Sequence, residues 1–267
     1  MFADLELARR LERTEGAAGT AFVGARGGAS ECADRHGVYM MFDGADSPLT
    51  QTFGLGMLEP ATDQVFAEIE EFFSRKQSPM NHEVCPLAGV VLLESLVKRG
   101  YVPCEVSNVL FLNLLADQPK VELNPELSVH VTGKDDLDTY AEVLAQGWKE
   151  AGDFAAQIKE MSCTMATARG YVSFLVRNNQ EFVAAGGLFV HEGIALLAGA
   201  STIPQQRGQG AQRAVLAARL DYARNKEGCG VAMMVTEPGS ASQRNGERNG
   251  FRIAYTRTKW RRNAVAG

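Results

Sequence analysis

The stretch Ile203-Pro204-Gln205-Gln206-Arg207-Gly208-Gln209-Gly210-Ala211 lies between a strand-like apolar run and a segment whose apolar residues recur at helical spacing. A helix that begins at this point exposes backbone N–H groups that have no partner within the helix. These groups and the positive end of the helix dipole favour an anion such as a pyrophosphate. Gly208 and Gly210 let the backbone approach such an anion without an intervening Cβ. The stretch therefore predicts a phosphate-binding loop between a strand and a helix.

The residues on both sides of this loop predict a regular series of strands and helices. Before the loop, residues 188–190 and 194–200 are typical of two strands joined by a turn at Gly193. After the loop, the expected elements are a helix over 209–226, a strand over 230–236, a short helix over 240–249 and a last strand over 252–260. Glycines at the ends of both helices are the usual stop signals.

The pattern Gln-x-x-Gly-x-Gly at residues 205–210, which follows a strand and Pro204, resembles the acetyl-CoA loop of the GNAT N-acetyltransferases. The order strand, glycine loop, helix, strand, short helix, Gly-Phe and strand is also similar to the cofactor-binding core of that family. The resemblance covers roughly residues 127–262. It implies an α/β fold (α+β in some schemes) in which a mixed, mostly antiparallel sheet is flanked by helices.

The first half of the chain repeats this order in a shorter form. An amphipathic helix is expected over 63–76, a strand over 80–85, a helix over 87–99 and a strand over 106–112. A repeat of this length predicts two similar domains. We therefore expect tandem GNAT-like domains: a degenerate domain over 1–118, a linker over 119–126 and an acetyl-CoA-binding domain over 127–267.

The first of these domains is not expected to bind a pyrophosphate. Residues 61–64, which align with the glycine loop of the second half, contain no glycine. Gly54 and Gly56 come before the expected strand end and are more typical of a turn. We expect this domain to cover the second sheet and to form one wall of a substrate cleft.

The resemblance implies which residues of the second half hold acetyl-CoA. Backbone groups at the strand end, Ser201, Thr202 and Ile203, would pair with the pantetheine arm. The pyrophosphate would lie on the amides of the loop and of the first helical turn, namely Gln206, Arg207, Gly208, Gln209, Gly210, Ala211, Gln212 and Arg213. Arg207 and Arg213 could add positive charge, although a solvated helix face explains Arg213 equally well.

The catalytic groups are less clearly marked. Acetyl transfer needs a neutral amine and a stabilised thiolate. Glu237, after the strand over 230–236, is the nearest carboxylate for the amine, or else a solvated acid at a strand end. Many GNAT enzymes carry a tyrosine four residues before the Gly-Phe pair to protonate the thiolate, and this chain has Gly246 there.

Several residues could replace this missing tyrosine. Ser240 could donate a hydrogen bond to the sulfur, or it could serve only as the N-cap of the short helix. Ser242 and Asn245 could contact the sulfur or the pantetheine arm, and we place them among the cofactor-binding residues. Tyr255 could supply the phenol, or it could pack in the core.

Composition narrows the class of protein. The 267 residues carry a formal net charge of −5, with a pI near 5.5, which favours neither nucleic acid nor an anionic membrane as a partner. No apolar run is long enough to span a membrane and residues 1–13 carry charges throughout, so we expect no membrane span and no signal peptide. The five cysteines and four histidines show no metal-ligand spacing, so we expect reduced thiols, no metal and a cytoplasmic protein. The whole chain resembles two-domain GNAT proteins of bacteria, which implies a bacterial origin.

These observations predict an N-acetyltransferase that transfers an acetyl group from acetyl-CoA to a primary amine of a small molecule by direct attack. The alternative is a non-catalytic acyl-CoA-binding sensor or scaffold, which the absence of the usual tyrosine would favour. A P-loop nucleotide site is excluded because no Lys-Ser/Thr follows the glycines, and a dinucleotide-binding motif because the third glycine is missing. GNAT proteins often pair, so a homodimer is open, but no stripe of residues marks an interface.

Overall fold

The computed structural model describes residues 1–116, 122–149, 155–179 and 181–263, so positions 119–121 of the predicted linker lie outside the described residues. The helices are α1 (Leu5–Arg26), α2 (Asp63–Ser74), α3 (Val90–Lys98), α4 (Leu137–Gly147), α5 (Ala155–Thr167), α6 (Ala211–Asn225) and α7 (Ala241–Arg248). The strands are β1 (Glu31–Arg35), β2 (Val38–Phe42), β3 (Gln51–Phe53), β4 (Met80–Val84), β5 (Val102–Asn113), β6 (Ser128–Val131), β7 (Tyr171–Arg177), β8 (Phe182–His191), β9 (Ile194–Thr202), β10 (Val231–Thr236) and β11 (Arg252–Arg262).

The chain forms two compact units. Unit 1 comprises Met1–Leu112 together with Met233–Gly267, and unit 2 comprises Asn113–Ala232. This grouping differs from the predicted division, because the C-terminal segment packs with the first half of the chain. The physical reason is strand pairing: β11 forms antiparallel ladders with β4 and β5. The idea that each half derives from one GNAT-like copy stays a prediction.

The sheet of unit 1 has the order β1-β2-β3-β4-β11-β5, and the part of β10 from Met233 onward follows β5. The first three strands pair antiparallel. β3 and β4 are parallel, with Thr52 opposite His82. The sheet is therefore mixed and mostly antiparallel, as expected.

Helices α2 and α3 supply the core on one side of unit 1. The apolar residues of α2, which recur at helical spacing as predicted, are all buried: Val65, Phe66, Ile69, Phe72 and Phe73. Removing a buried aromatic side chain of this kind costs about 3–5 kcal/mol. The helix predicted over 87–99 is present in part, because Gly89 has a φ of 89° and separates a single 3-10 turn, Pro86–Ala88, from α3.

Helix α1 is an element that the sequence did not predict. Its N-cap is Asp4, whose side chain accepts from the Leu7 amide at 2.9 Å. Gly16 and Gly19 face the sheet, and a Cβ on them would lie 2.3 Å from Tyr39 Cδ2 and 2.1 Å from Met41 Sδ, respectively. The two glycines therefore allow the helix to approach β2 closely.

Unit 2 contains the antiparallel sheet β9-β8-β7-β6. Tyr140 and Leu144 of α4 pack in a core cluster with Ala185 of β8, whereas Val215 of α6 lies against the neighbouring Gly186. Since successive residues of a strand point to opposite faces, α4 and α6 cover opposite faces of this sheet. The strand before the glycine loop, β9, is therefore part of this sheet, and the helix after the loop, α6, packs on one of its faces.

Candidate functional site

The glycine loop of unit 2 connects β9 to α6 through one 3-10 turn, Pro204–Gln206. The Gln206 amide donates to the Ile203 carbonyl at 2.9 Å, and the Arg207 amide to the Pro204 carbonyl at 3.3 Å. Helix α6 then begins with a bond from the Ala214 amide to the Gly210 carbonyl, 3.0 Å long. The predicted order of strand, loop and helix is therefore confirmed, and the helix begins two residues later than expected.

Gly208 and Gly210 have φ values of 81° and 90°, in the left-handed region that disfavours other residues. A Cβ on Gly208 would meet no atom within 4 Å, and one on Gly210 would lie 3.8 Å from Asn124 Cβ. The backbone conformation therefore requires the glycines, and the space in front of the loop is open. An approaching ligand would find backbone there instead of side chains.

The N-terminus of α6 carries the features of an anion site. Its N-cap is Gly210, which makes no side-chain capping bond, and the first turn contains no acidic residue. The first N–H groups of a helix lack acceptors within the helix, and the helix dipole adds positive potential. Of the residues predicted to supply amides here, Ala211 is buried, Gln212 is half-buried and Arg213 is exposed.

The loop side chains are tied to their surroundings. Arg207, predicted to add charge to the phosphates, donates from Nη2 to the Gly147 carbonyl at 3.2 Å and from Nε to the Thr202 carbonyl at 3.4 Å. Gln206 donates from Nε2 to Glu181 at 2.6 Å and accepts from Gln209 at 3.1 Å. The Gln209 carbonyl accepts from Asn124 Nδ2 at 3.1 Å. These bonds hold the loop in place.

The strand end that was expected to pair with the pantetheine arm is also partly engaged. Ser201 is buried, and its hydroxyl donates to the Leu144 carbonyl at 3.0 Å. The Ile203 amide donates to the Val183 carbonyl at 3.0 Å, which removes this donor from the set predicted to face the arm. Thr202 lies opposite Ala184 in the ladder with β8.

A bulge in β9 and a buried arginine beside it are features that the sequence reasoning missed. Gly199, with a φ of 51°, is the extra residue where the ladder with β8 shifts register. Arg219 of α6 is 3 % exposed and donates to the Gly187 carbonyl at 3.1 Å, opposite this bulge. Burial lowers the pKa of Arg219 to about 10. Glycines inside the strands over 182–202 were the signal that could have indicated a bulge.

Two tyrosines complete this buried cluster. The hydroxyls of Tyr140 and Tyr171 are 2.9 Å apart. Burial raises the pKa of Tyr171 to about 12 and that of Tyr140 well above its ordinary value. Within the described residues, no carboxylate forms an ion pair with Arg219, and the acceptors of its side chain are the Gly187 and Val215 carbonyls, at 3.1 Å and 3.3 Å.

The catalytic candidates of the C-terminal segment lie in unit 1. Glu237 is exposed after β10. Ser240 is the N-cap of α7 and its Oγ accepts from the Gln243 amide at 3.1 Å, so its structural interpretation is confirmed and its role in chemistry is untested. Ser242 is exposed, and the Asn245 carbonyl accepts from Asn249 Nδ2 at 2.7 Å.

Tyr255 does not present its phenol at a surface. It is 6 % exposed, and its hydroxyl donates to Glu12 of α1 at 2.8 Å. Burial, followed by the nearby Glu12 carboxylate, raises the pKa of Tyr255 well above its ordinary value. The core interpretation of Tyr255 is the one that the structure supports, because its hydroxyl is already used in the interior of unit 1.

Gly246 lies where many GNAT enzymes have a tyrosine. A Cβ there would lie 2.8 Å from Met234 Sδ and 3.5 Å from Leu110 Cδ2. The neighbouring side chains therefore fill the space that a larger residue would enter. Gly246 is buried, and its position leaves the thiolate acid unassigned.

Three further observations concern metals, thiols and membranes. Among the described residues, no three His, Cys, Asp or Glu side chains lie close enough to hold a metal ion. All five cysteines are free thiols. Over the same residues, none of the helices combines the length and the apolar character that crossing a membrane requires.

Solved structures similar to this one share its fold across most of the chain. A GCN5-related N-acetyltransferase from Kribbella flavida has 17% identity and a TM-score of 0.70, with 97% of this chain and 96% of that chain covered. A GCN5-related N-acetyltransferase from Sphaerobacter thermophilus has 14% identity and a TM-score of 0.57, with 89% of this chain and 77% of that chain covered. A tandem GNAT protein from the clavulanic acid biosynthesis pathway has 13% identity and a TM-score of 0.60, with 86% of this chain and 79% of that chain covered. No family model matches the chain, and no curated protein is similar to it in sequence.

The predicted fold is thus confirmed, although the sequence identity to these structures is low. The elements on both sides of the glycine loop and the wide coverage of a tandem GNAT protein agree with the expected architecture. This chain has the tandem GNAT fold, that of the GCN5-related N-acetyltransferases.

Proposed function

We propose that this protein is an N-acetyltransferase that uses acetyl-CoA as the acyl donor and a primary amine of a small molecule as the acceptor. The observation that carries the proposal is the glycine loop, which joins β9 to an uncapped helix N-terminus. The same fold in proteins described as acetyltransferases supports it.

The residues of the loop fit the pyrophosphate of acetyl-CoA. Its charge would be met by the amides of 208–213, because those of Gln206 and Arg207 already donate to the Ile203 and Pro204 carbonyls. The glycines at 208 and 210 leave the approach free of side chains. The Thr202 backbone would orient the pantetheine arm. Arg207 would serve mainly to fix the loop, since its guanidinium already bonds two carbonyls. Acetyl-CoA supplies the activated acetyl thioester when bound.

Two residues of unit 1 are proposed for the chemistry. Glu237 would bind the acceptor amine or accept its proton, directly or through a water molecule, so that the amine can attack the thioester carbon. Ser240 keeps its hydroxyl hydrogen for donation, because its Oγ acts as an acceptor in the capping bond. It would therefore stabilise the departing sulfur by a hydrogen bond.

A second candidate, a non-catalytic acyl-CoA-binding sensor, is favoured by the missing acid. Gly246 replaces the usual tyrosine and Tyr255 is buried. Acetyl transfer to any amine would exclude the sensor. Tight binding of acetyl-CoA without transfer to a broad panel of amines would favour it.

Calorimetric titration with acetyl-CoA tests the proposal. We expect the wild type to bind with a Kd of micromolar order, about −8 kcal/mol. Gly210→Trp should abolish binding, because the indole would occupy the open space before the helix. Gly228→Trp is the matched control, since Gly228 also has a positive φ, 64°, with open space around it, and follows the other end of α6. Equal binding by the wild type and Gly210→Trp, or none by the wild type, would contradict the proposal.

A further inference from the structure

A cleft of about 670 Å³ lies within unit 1, beside the N-terminal part of β5 and the end of β10. Residues 104–107 line it from β5, and residues 235–238 line it from β10 and the turn that follows. Its volume is in the range of small-molecule sites. Val106, Val235 and Pro238 give it apolar walls between its polar groups.

Two hydroxyl groups at this cleft lack partners. Thr236 is 5 % exposed, and its Oγ1 has no hydrogen-bond partner among the described residues. The buried Oγ of Ser107, on the neighbouring strand, is in the same condition. Burying a hydroxyl without a partner is unfavourable, so native structures rarely leave one unused. Both groups could accept a hydrogen bond from a ligand.

The charged residues that line the cleft are both acids. Glu105 is paired on one side with Lys259, at 2.9 Å, and Lys259 is shared with Glu83 at 3.1 Å. Glu237 forms no ion pair with any described residue. No lysine or arginine lines the cleft. Lys259 offsets the charge of Glu105, so the charge at the cleft that has no ion-pair partner is that of Glu237, and it favours a cation.

The wall that carries Glu237 is held in place by Gln243 of α7. Gln243 Oε1 accepts from the Gly239 amide at 2.7 Å and from Asn108 Nδ2 at 3.1 Å. Asn108 is buried in β5 and also accepts from Thr256 at 2.7 Å. These bonds join the turn after β10 to β5, so the cleft is formed before a ligand arrives.

We propose that this cleft binds the acceptor, and that the acceptor is an amine with two positive charges. One ammonium group would pair with Glu237 and donate to Thr236, and the other would lie near Glu105 and Ser107. A single ammonium would pair with Glu237 alone, whereas a second one would share Glu105 with Lys259. An anionic acceptor would be repelled by Glu237. The inference rests on the proposed function and names the class of its substrate.

Calorimetric titration with 1,4-diaminobutane, with n-butylamine as the singly charged probe, tests this inference. The wild type should bind the diamine about fivefold more tightly, since one exposed ion pair contributes up to ~1 kcal/mol. Glu237→Gln and Glu105→Gln should each remove this preference. Thr236→Val, which keeps the volume, should weaken both amines. Glu94→Gln is the control, because Glu94 is an exposed acid of α3 that does not line the cleft.

Equal affinity of the wild type for both amines, or no binding of either, would overturn the inference. Equal effects of Glu237→Gln and Glu94→Gln would also overturn it, because the diamine would then respond to net charge only. Acetyl-CoA is titrated into the same samples. If the wild type binds acetyl-CoA but does not prefer the diamine to n-butylamine, only the dicationic acceptor is refuted. If the wild type does not bind acetyl-CoA, the proposed function is refuted. Urea midpoints of the variants confirm that each is folded.

Discussion

Replacing Arg219 by methionine should leave the protein as stable as the wild type or up to about 2 kcal/mol more stable, although it removes a buried hydrogen bond. Arg219 is 3 % exposed, and no carboxylate among the described residues pairs with it. Burial lowers its pKa from the ordinary value of an arginine to about 10. Because each pKa unit corresponds to about 1.4 kcal/mol, the interior disfavours the charged form by about 3 kcal/mol.

The opposing effect is the carbonyl that Arg219 leaves behind. Its Nη1 donates to the Gly187 carbonyl at 3.1 Å, and an unpaired buried carbonyl costs about 1–3 kcal/mol. Methionine fills most of the same volume without a charge to desolvate, so the two effects nearly cancel. Arg219→Ala loses the same bond and also leaves a cavity, which should make it about 2–5 kcal/mol less stable than Arg219→Met.

Urea denaturation measures the free energies of unfolding of the three proteins, and equal m values show that the comparison is valid. A loss of more than about 3 kcal/mol in Arg219→Met would refute the reasoning, because an unpaired carbonyl alone does not account for it. Such a loss would mean that the guanidinium is well solvated by the dipoles of Gly187 and of the two tyrosine hydroxyls.

Three further predictions concern unit 1. Gly16→Ala should destabilise the protein by about 1–3 kcal/mol, because the new Cβ would lie 2.3 Å from the Tyr39 ring. Gly24→Ala, in the same helix, should stabilise the protein by up to about 1 kcal/mol, because its Cβ would meet no atom within 4 Å. Urea titration measures both changes. Burial raises the pKa of Glu12 from 4.5 to about 7, so the folded state retains a proton that the unfolded chain releases. Stability should therefore fall as the pH rises from 4.5 to 7, by up to about 3 kcal/mol for Glu12. Glu12→Gln should reduce this slope and leave the part that comes from Glu15, whose pKa burial also raises; an unchanged slope would contradict the role of Glu12. Ser240→Ala should cost about 1 kcal/mol of stability through loss of the N-cap, and it should also slow acetyl transfer at temperatures where the variant is folded, because the hydrogen bond to the sulfur is lost; an unchanged rate would contradict that role of Ser240.

The part of the site that could be predicted from the sequence is local in the chain. Gly208 and Gly210 lie next to each other in sequence and in the loop, and the spacing of apolar residues after them defines α6. Their positive φ values follow from residue type. Spacing also predicted α2, where each expected apolar residue is buried.

Other features depend on partners that are distant in sequence. The hydroxyl of Tyr255 meets Glu12, 243 residues earlier in the chain, which no pattern around Tyr255 indicates. The guanidinium of Arg207 donates to the carbonyl of Gly147, which lies 60 residues earlier at the end of α4. The pairing of β11 with β4, which moves the C-terminal segment into unit 1, is another long-range choice.

Helix α1 was missed for a different reason. Gly16 and Gly19 are poor helix formers and interrupt the apolar pattern. They are accommodated because Tyr39 and Met41 occupy the space that their side chains would need. Packing against β2 thus overrides the local preference, and only the folded structure shows it.

The central claim is that acetyl-CoA binds at the loop before α6, and amide hydrogen exchange of the wild type with and without saturating acetyl-CoA tests it most directly. We predict slower exchange at the amides of residues 208–213, because the pyrophosphate would accept hydrogen bonds from them. Peptides covering α3 should exchange at the same rate in both samples. Saturable binding of acetyl-CoA that protects other segments and leaves residues 208–213 unchanged would contradict the account.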